Sequence, residues 1–281
     1  MSAAAPTEVV LVKRAGVMAY EEVAEAFREG CRVRARVFNV GEDIAGTVKF
    51  GASQLVITVG QEAFDAVRAA PGRLIATLAF HVPEHVLGPP AAPAPELILQ
   101  LLARARPGLK IVGAVHGPRS RDTWKAAREA AARLGIELRG EEVPDGPAAV
   151  RAIRAMVDGV QALWLPGDLD AVTPQVFQFA LRLQIERGIP VAAATRQQVH
   201  SGALLAVDFN PRDAGQSAAD LANRILDGRG PSGGDSHDRR GAEKEDPLDL
   251  LSGARMTVNA SVARRLGVDL SALERLGARV E

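Results

Sequence analysis

The sequence predicts an α/β protein of two Rossmann-like lobes with parallel sheets. Three observations lead there. From Lys110 onward the chain reads KIVGAVH, ELRGEEV, ALWLPGD, PVAAAT and ALLAVDF, each run separated from the next by a helical stretch. Short apolar runs alternating with amphipathic helices mark a parallel sheet covered on both faces. A shorter series of the same kind precedes it: TEVVLVK, RVRARVFNV, QLVITV and RLIATLAF. Between the two series, Pro83 to Pro95 is rich in Pro, Ala and Gly, and its prolines block helix and ladder alike, so it reads as a stiff crossing.

The elements follow in order. A strand over Thr7–Lys13 opens lobe 1, and a helix over Tyr20–Glu29 places Val23, Ala26 and Phe27 at helical spacing. The strand Arg32–Val40 alternates as far as Phe38, which suits an edge strand with one wet face. Asp43–Ser53, short and with two glycines, is the weakest crossover. Strand Gln54–Val59, helix Gln61–Ala69 and strand Arg73–Phe80 complete the series. Lobe 2 runs from the helix Pro95–Ala105 to the strand Leu204–Asp208. A second crossing near Phe209–Pro211 leads to the helix Asp213–Leu226. Residues 228–247 carry almost no apolar side chains and read as a flexible excursion. ARMTVN is then the last strand and Ala260–Leu266 the last helix. The expected division is 7–94 with 210–228 as lobe 1, 95–209 with 250–281 as lobe 2, and 229–249 as the excursion.

Composition narrows the function. The 281 residues are 47% hydrophobic, enough to bury two cores. Thirty-four basic residues balance thirty-four acidic ones, with no basic block, so a nucleic-acid partner is not expected. Cys31 is the single cysteine, which excludes an intramolecular disulfide and a multi-cysteine zinc site, and it reads as a small buried hydrophobe. No apolar run approaches the ~20 residues of a membrane span. No charged start with a following apolar segment is visible, so no signal peptide is expected in this sequence. The opening Met-Ser-Ala-Ala-Ala-Pro suits either a natural start or the remnant of a removed leader.

The fingerprints of common enzymes are missing: GxGxxG after the first strand, GxxxxGK[ST], HExxH and GxSxG. His81 and His85 have the spacing of helical metal ligands, but Pro83 lies between them, so no metal and no cofactor are expected. What remains is a set of polar loops at strand ends, where sheets of this kind bind ligands. Gly60 and Gln61 turn a buried strand directly into a helix. His116-Gly117-Pro118-Arg119-Ser120, Pro166-Gly167-Asp168 and Ala194-Thr195-Arg196 repeat the arrangement. Arg119 and Arg196 are suited to a carboxylate, and Asp168 and Asp208 to an ammonium. Each charge taken alone is more often a solvated rim residue. Tyr20 and Phe80 are placed to stack on a ligand, whereas Trp124, on a helical face with Ala127, Ala131 and Leu134, and Trp164, inside a strand, read as core.

Several stretches carry a resemblance: LVITVGQEAFDAV, PELILQLLARARPGLKIVGAVHGPRS, AAREAAARLGIEL, DGVQALWLPGD, RGIPVAAATRQQVHSGALLAVDFNPRDAGQSAADLANRILDG and MTVNASVARRLGV. The most specific is HSGALLAVDFNPRDAG with its following helix ending in ILDG. Together, from about Gln54 to Val268, they resemble the tryptophan-binding-like family of ABC-transporter substrate-binding proteins. The resemblance implies the type I periplasmic-binding-protein architecture, two lobes joined by a three-crossing hinge that closes on a small ligand and presents it to an ABC permease. It implies a periplasmic or extracytoplasmic location, a non-catalytic monomer, and ligands among amino acids and related zwitterions. It also implies a ligand shell from the loops bearing Tyr20, Gly60, Phe80, His116, Asp168, Thr195 and Asp208. The chain departs from the family pattern at Asp43–Ser53, which is short, at Phe80-His81-Val82-Pro83, which lacks an acidic residue before proline, and at 228–247, which is long. Two other readings stay open. One is a two-lobed Rossmann-like enzyme of the glycosyltransferase or epimerase type, for which Asp168 and Asp208 are the only carboxylates on offer. The other is a ligand-sensing domain without transport.

Overall fold

The computed structural model describes residues 8–41, 50–51, 54–80, 82–83, 86–88, 93–228 and 254–281. The crossover Asp43–Ser53 apart from residues 50–51, His81, His85 and the excursion 229–249 lie outside these residues. The chain divides into two compact units, Met1–Ala91 with Phe209–Glu245 and Ala92–Asp208 with Asp246–Glu281, and so passes between them at three points.

The first unit is a four-stranded sheet. Its strands are β1 (Glu8–Lys13), β2 (Ala35–Asn39), β3 (Gln54–Val59) and β4 (Arg73–Thr77), in the order β2-β1-β3-β4. All three pairings are parallel. Every residue of β3 is buried, and so are five of the six in β1, as expected of central strands with both faces covered. β2, with its exposed Arg36 and Val37, forms one edge. Helix α1 (Met18–Gly30) turns Val23, Ala24, Ala26 and Phe27 inward, and α2 (Gln61–Val67) follows β3 through the single residue Gly60. A further helix, Pro211–Leu226, belongs to this unit and lies against α1. Its Gly215 makes the approach possible, because a Cβ there would meet the Val23 carbonyl at 2.5 Å. Together the two helices cover Val9, Leu11, Leu55 and Ile57.

The second unit is larger. Its helices and strands alternate: α3 (Pro95–Ala105), β5 (Ile111–His116), α4 (Arg121–Arg133), β6 (Glu137–Glu142), α5 (Gly146–Met156), β7 (Ala162–Trp164), α6 (Pro174–Arg187), β8 (Val191–Ala193), α7 (Arg196–His200) and β9 (Leu205–Phe209). The helix Pro211–Leu226, numbered α8, intervenes before β10 (Ala254–Val258), α9 (Ala260–Arg265), α10 (Leu270–Glu274) and β11 (Arg279–Val280). The strand order is β11-β10-β9-β8-β7-β5-β6. Parallel registers join β6 to β5, β5 to β7, β7 to β8, β8 to β9 and β10 to β11. β10 runs opposite to β9, since Arg255 at its start reaches Asp208 while Asn259 after its end donates to the Leu204 carbonyl.

Local chemistry sets the boundaries. Asp145 and Thr173 cap α5 and α6 by accepting backbone N–H bonds from Ala148 and Val176. Gly188, at φ +64°, ends α6 in the left-handed conformation that favours glycine. α8 starts two residues earlier than the periodicity predicts, because Asn210 accepts from the Arg212 N–H and Pro211 occupies the first helical position. The second strand is shorter than Arg32–Val40, with only Ala35–Asn39 in the strand, although Val40 N–H still bonds the Lys13 carbonyl. Helix α10 and strand β11 were not read from the sequence. Cys31 is only partly buried, and burial pushes its thiol up.

Candidate functional site

In the first unit the strand-end residues gather beneath the start of α1. Gly60 has φ +88° and ψ 161°, a conformation nearly confined to glycine. A Cβ on it would lie 2.5 Å from the Tyr20 ring, so glycine is required twice over, once for the backbone and once for the ring. The Gly60 N–H bonds the Thr77 carbonyl at 2.9 Å, tying the ends of β3 and β4 together. Tyr20 is half-buried, and burial raises its phenol, with Glu62 adding and Arg14 opposing. Gln61 is buried and donates to Asp65, and Phe80, after β4, is half-buried.

Residues the sequence reading missed sit in the same row. Lys13 ends β1 with 6% exposure, and its ammonium reaches Glu21 at 2.5 Å and Asn39 at 3.2 Å. Thr77 ends β4 fully buried, and its hydroxyl has no hydrogen-bond partner among the described residues. The signal for Lys13 was its place at the end of an apolar run, whereas Thr77 lies inside the run Arg73–Phe80, of which only Arg73–Thr77 forms β4. Lys13 read there as the close of a strand, because nothing local showed it to be buried.

In the second unit the loops after β5 and β7 are joined by Asp168, which is 1% exposed. One of its oxygens accepts from Gly117 N–H at 2.6 Å, the other from Asp170 and Ala171 N–H at 3.0 Å each. Burial alone would raise this carboxyl, but the Ser120 hydroxyl and the three amides outweigh it and hold it below the usual aspartate value. Its acceptor capacity is thus engaged by the chain itself. Arg119 forms a two-point pair with Asp170, at 2.8 and 2.9 Å. His116 is buried at the end of β5 and stacks on Trp124, with ring centroids 4.7 Å apart. Trp124 is half-buried, with one side on the core and the other on this histidine; Trp164 is core throughout.

The loop after β8 is held by a capping box. The Thr195 hydroxyl accepts from Gln198 N–H, and the Gln198 side chain accepts from Thr195 N–H. Arg196 donates its backbone N–H to Asp208 and its guanidinium to Glu281 at 3.0 Å. Asp208 is gripped at two points by Arg255, at 2.8 and 3.0 Å. Hydrogen bonding from Arg196, then against desolvation from His200, holds the Glu281 carboxyl down at about 2.

The structure therefore brings Arg119 to Asp168 through Asp170, and Arg196 to Asp208 directly. It also supplies each of these charges with a partner inside its own unit. Asp170, Arg255 and Glu281 are the missed partners. Arg255 lies on β10 and Glu281 directly follows β11, both after the excursion and beyond the reach of any local pattern.

Among the described residues no group of three His, Cys, Asp or Glu is disposed to hold a metal ion, and no helix is long and apolar enough to cross a membrane.

Comparison with known proteins places this arrangement. The profile of the family described as ABC transporter substrate binding protein matches residues 92–272. No curated protein matches the sequence. Among solved structures, the fold is similar to a conserved domain protein from Vibrio cholerae O1 biovar eltor, with TM-score 0.67, 14% identity, and 98% and 99% of the two chains covered. It is similar to an ABC domain in complex with L-Trp from Streptococcus pneumonia, with TM-score 0.65, 14% identity, and 97% and 99% covered. A ligand-free, open substrate-binding protein with adhesive properties from Clostridium difficile follows, with TM-score 0.61, 16% identity, and 93% and 95% covered. At such identities the likeness speaks for the fold, whereas the profile match runs over well over half of the chain. The chain belongs to the ABC transporter substrate-binding protein family, and its two α/β lobes are those of a type I periplasmic-binding-protein fold.

Proposed function

We propose that the protein captures an amino acid or related zwitterion and delivers it to an ABC permease outside the cytoplasmic membrane, as a monomer and without catalysis. The observation that carries this reading is the family match over 92–272 on a fold whose strands end in polar loops in both units. The L-Trp complex of the Streptococcus neighbour supports the ligand class. In this reading the lobes close on the solute by hinge motion. The loops bearing Tyr20, Gly60, Gln61 and Phe80 form one half of the shell, and those bearing His116, Arg119, Asp168, Thr195, Arg196 and Asp208 form the other. Tyr20 and Phe80 offer aromatic surface. Asp168 and Asp208, already bonded to amides and to Arg255, act mainly by fixing the loops.

The test is a thermal-shift screen against amino acids, short peptides, purines, sugars and nucleotide-sugars. A solute that binds only the folded state adds about 2.7 kcal/mol at a hundredfold excess over its Kd. A selective shift with one class of amino acids is the expected result. A shift confined to nucleotide-sugars would replace solute capture with an enzymatic reading.

A further inference from the structure

The last register row of the four-stranded sheet runs Asn39, Lys13, Val59, Thr77 across β2, β1, β3 and β4. Register partners in a parallel sheet project from the same face. Two residues back on that face the row is Val37, Leu11, Ile57, Ile75, wholly apolar. Three polar residues thus close a face whose Leu11, Ile57 and Ile75 are buried in the core shared with α1 and α8.

The ion pair in this row is lopsided. The Lys13 side chain is 7% exposed, whereas that of Glu21 is 52% exposed. Glu21 and Asn39 engage two of the three ammonium protons. A buried cation must keep a counter-charge, and here the counter-charge sits on a half-exposed side chain in the first turn of a helix. At the far end of the row the Thr77 hydroxyl is buried and, among the described residues, unpartnered. Between them lies Gly60, bonded to the Thr77 carbonyl and overlaid by Tyr20. Replacing a buried ion pair by apolar residues of similar volume is often neutral or stabilising, so the burial of Lys13 is weak evidence for a role in stability.

We infer that Lys13 anchors a carboxylate of the captured solute, and that Glu21 holds that place until the solute displaces it. The inference rests on the solute-capture reading and narrows it to carboxylate-bearing solutes. Binding exchanges one carboxylate for another around a cation that stays buried, so no charge is left uncompensated.

Opposite signs follow for the two members of one ion pair. Lys13→Met keeps the length and the apolar stem but removes the cation, and is expected to weaken binding of a free acid about a hundredfold. Glu21→Gln removes the competitor and keeps the cation, and is expected to tighten the same binding about threefold or more. A pair with a structural role only would leave affinity for acids unmoved in both variants.

The experiment is calorimetric titration of the full chain with L-amino acids, their carboxamides, and the corresponding deaminated acids. The wild type is expected to prefer free acid over carboxamide by at least about tenfold. Lys13→Met should lose that preference, and Lys13→Arg, the control for a poorly folding Met variant, should keep it. Equal binding of acid and carboxamide, or a preference that survives Lys13→Met, overturns the anchor while leaving solute capture in place. Lys13-dependent binding of the deaminated acids alone keeps the anchor and removes the amino-acid reading. If no acid in the panel binds the wild type, the anchor is wrong.

Discussion

At Gly60 two constraints fall on one residue. The backbone sits where side chains other than hydrogen are strained by about 1–3 kcal/mol, and the Tyr20 ring occupies the space a Cβ would take. Gly60→Ala is therefore expected to lower stability by about 2 kcal/mol or more, read from the urea midpoint at unchanged m-value. Adding Tyr20→Ser should restore part of that loss, since it removes the ring but not the backbone strain, and a double-mutant cycle separates the two. A neutral Gly60→Ala would mean the loop relaxes freely and Tyr20 is not seated on it. The sequence showed that Gly60 permits close approach, because glycine at a strand-to-helix turn is a local signal. That Tyr20 is what approaches needed the packing of α1 over the sheet.

Among the elements, Asp168 does the most connecting, joining the loops after β5 and β7 through three amides and a hydroxyl. Its folded pKa lies below the unfolded value, so the stability it contributes is fully present above the ordinary aspartate range and is lost as pH falls through the folded value. Asp168→Asn should cost about 2 kcal/mol at pH 7, with the gap to wild type closing below about pH 3–4. Urea melts at pH 7 and pH 3 check this, and a gap independent of pH would show that shape rather than charge holds the loops. The elements themselves were largely legible: Gln54–Val59 and Pro95–Ala105 match the strand and helix predicted there, because runs of buried apolar residues and helical spacing are local patterns. The charges were legible as residues but not as partners. Asp168 meets Gly117 because β5 and β7 are neighbours in the sheet, Asp208 meets Arg255 across a long excursion, and His116 meets Trp124 through the turn that starts α4. Sheet order decides the first two, and no window of sequence contains it, whereas the third follows from the local turn between β5 and α4.

For the whole molecule, the chain's three passages between units are the feature on which the proposed hinge rests. A solute that raises the melting temperature is expected to reduce the radius of gyration in solution scattering. Superposable curves with and without that solute would rule out closure, whatever the affinity.

The same interleaving of units governs how the protein comes into being. Neither unit is one continuous stretch of chain. During synthesis the four-stranded sheet is made first, but the face shared by Val9, Leu11 and Leu55 stays half-covered until α8 is made, more than two hundred residues into the chain. β9 in turn remains an open sheet edge until β10, made after α8, arrives to pair with it. Unpaired edges and uncovered apolar faces are what nascent chains aggregate through. The nascent chain is thus exposed to such association until both α8 and β10 have been made.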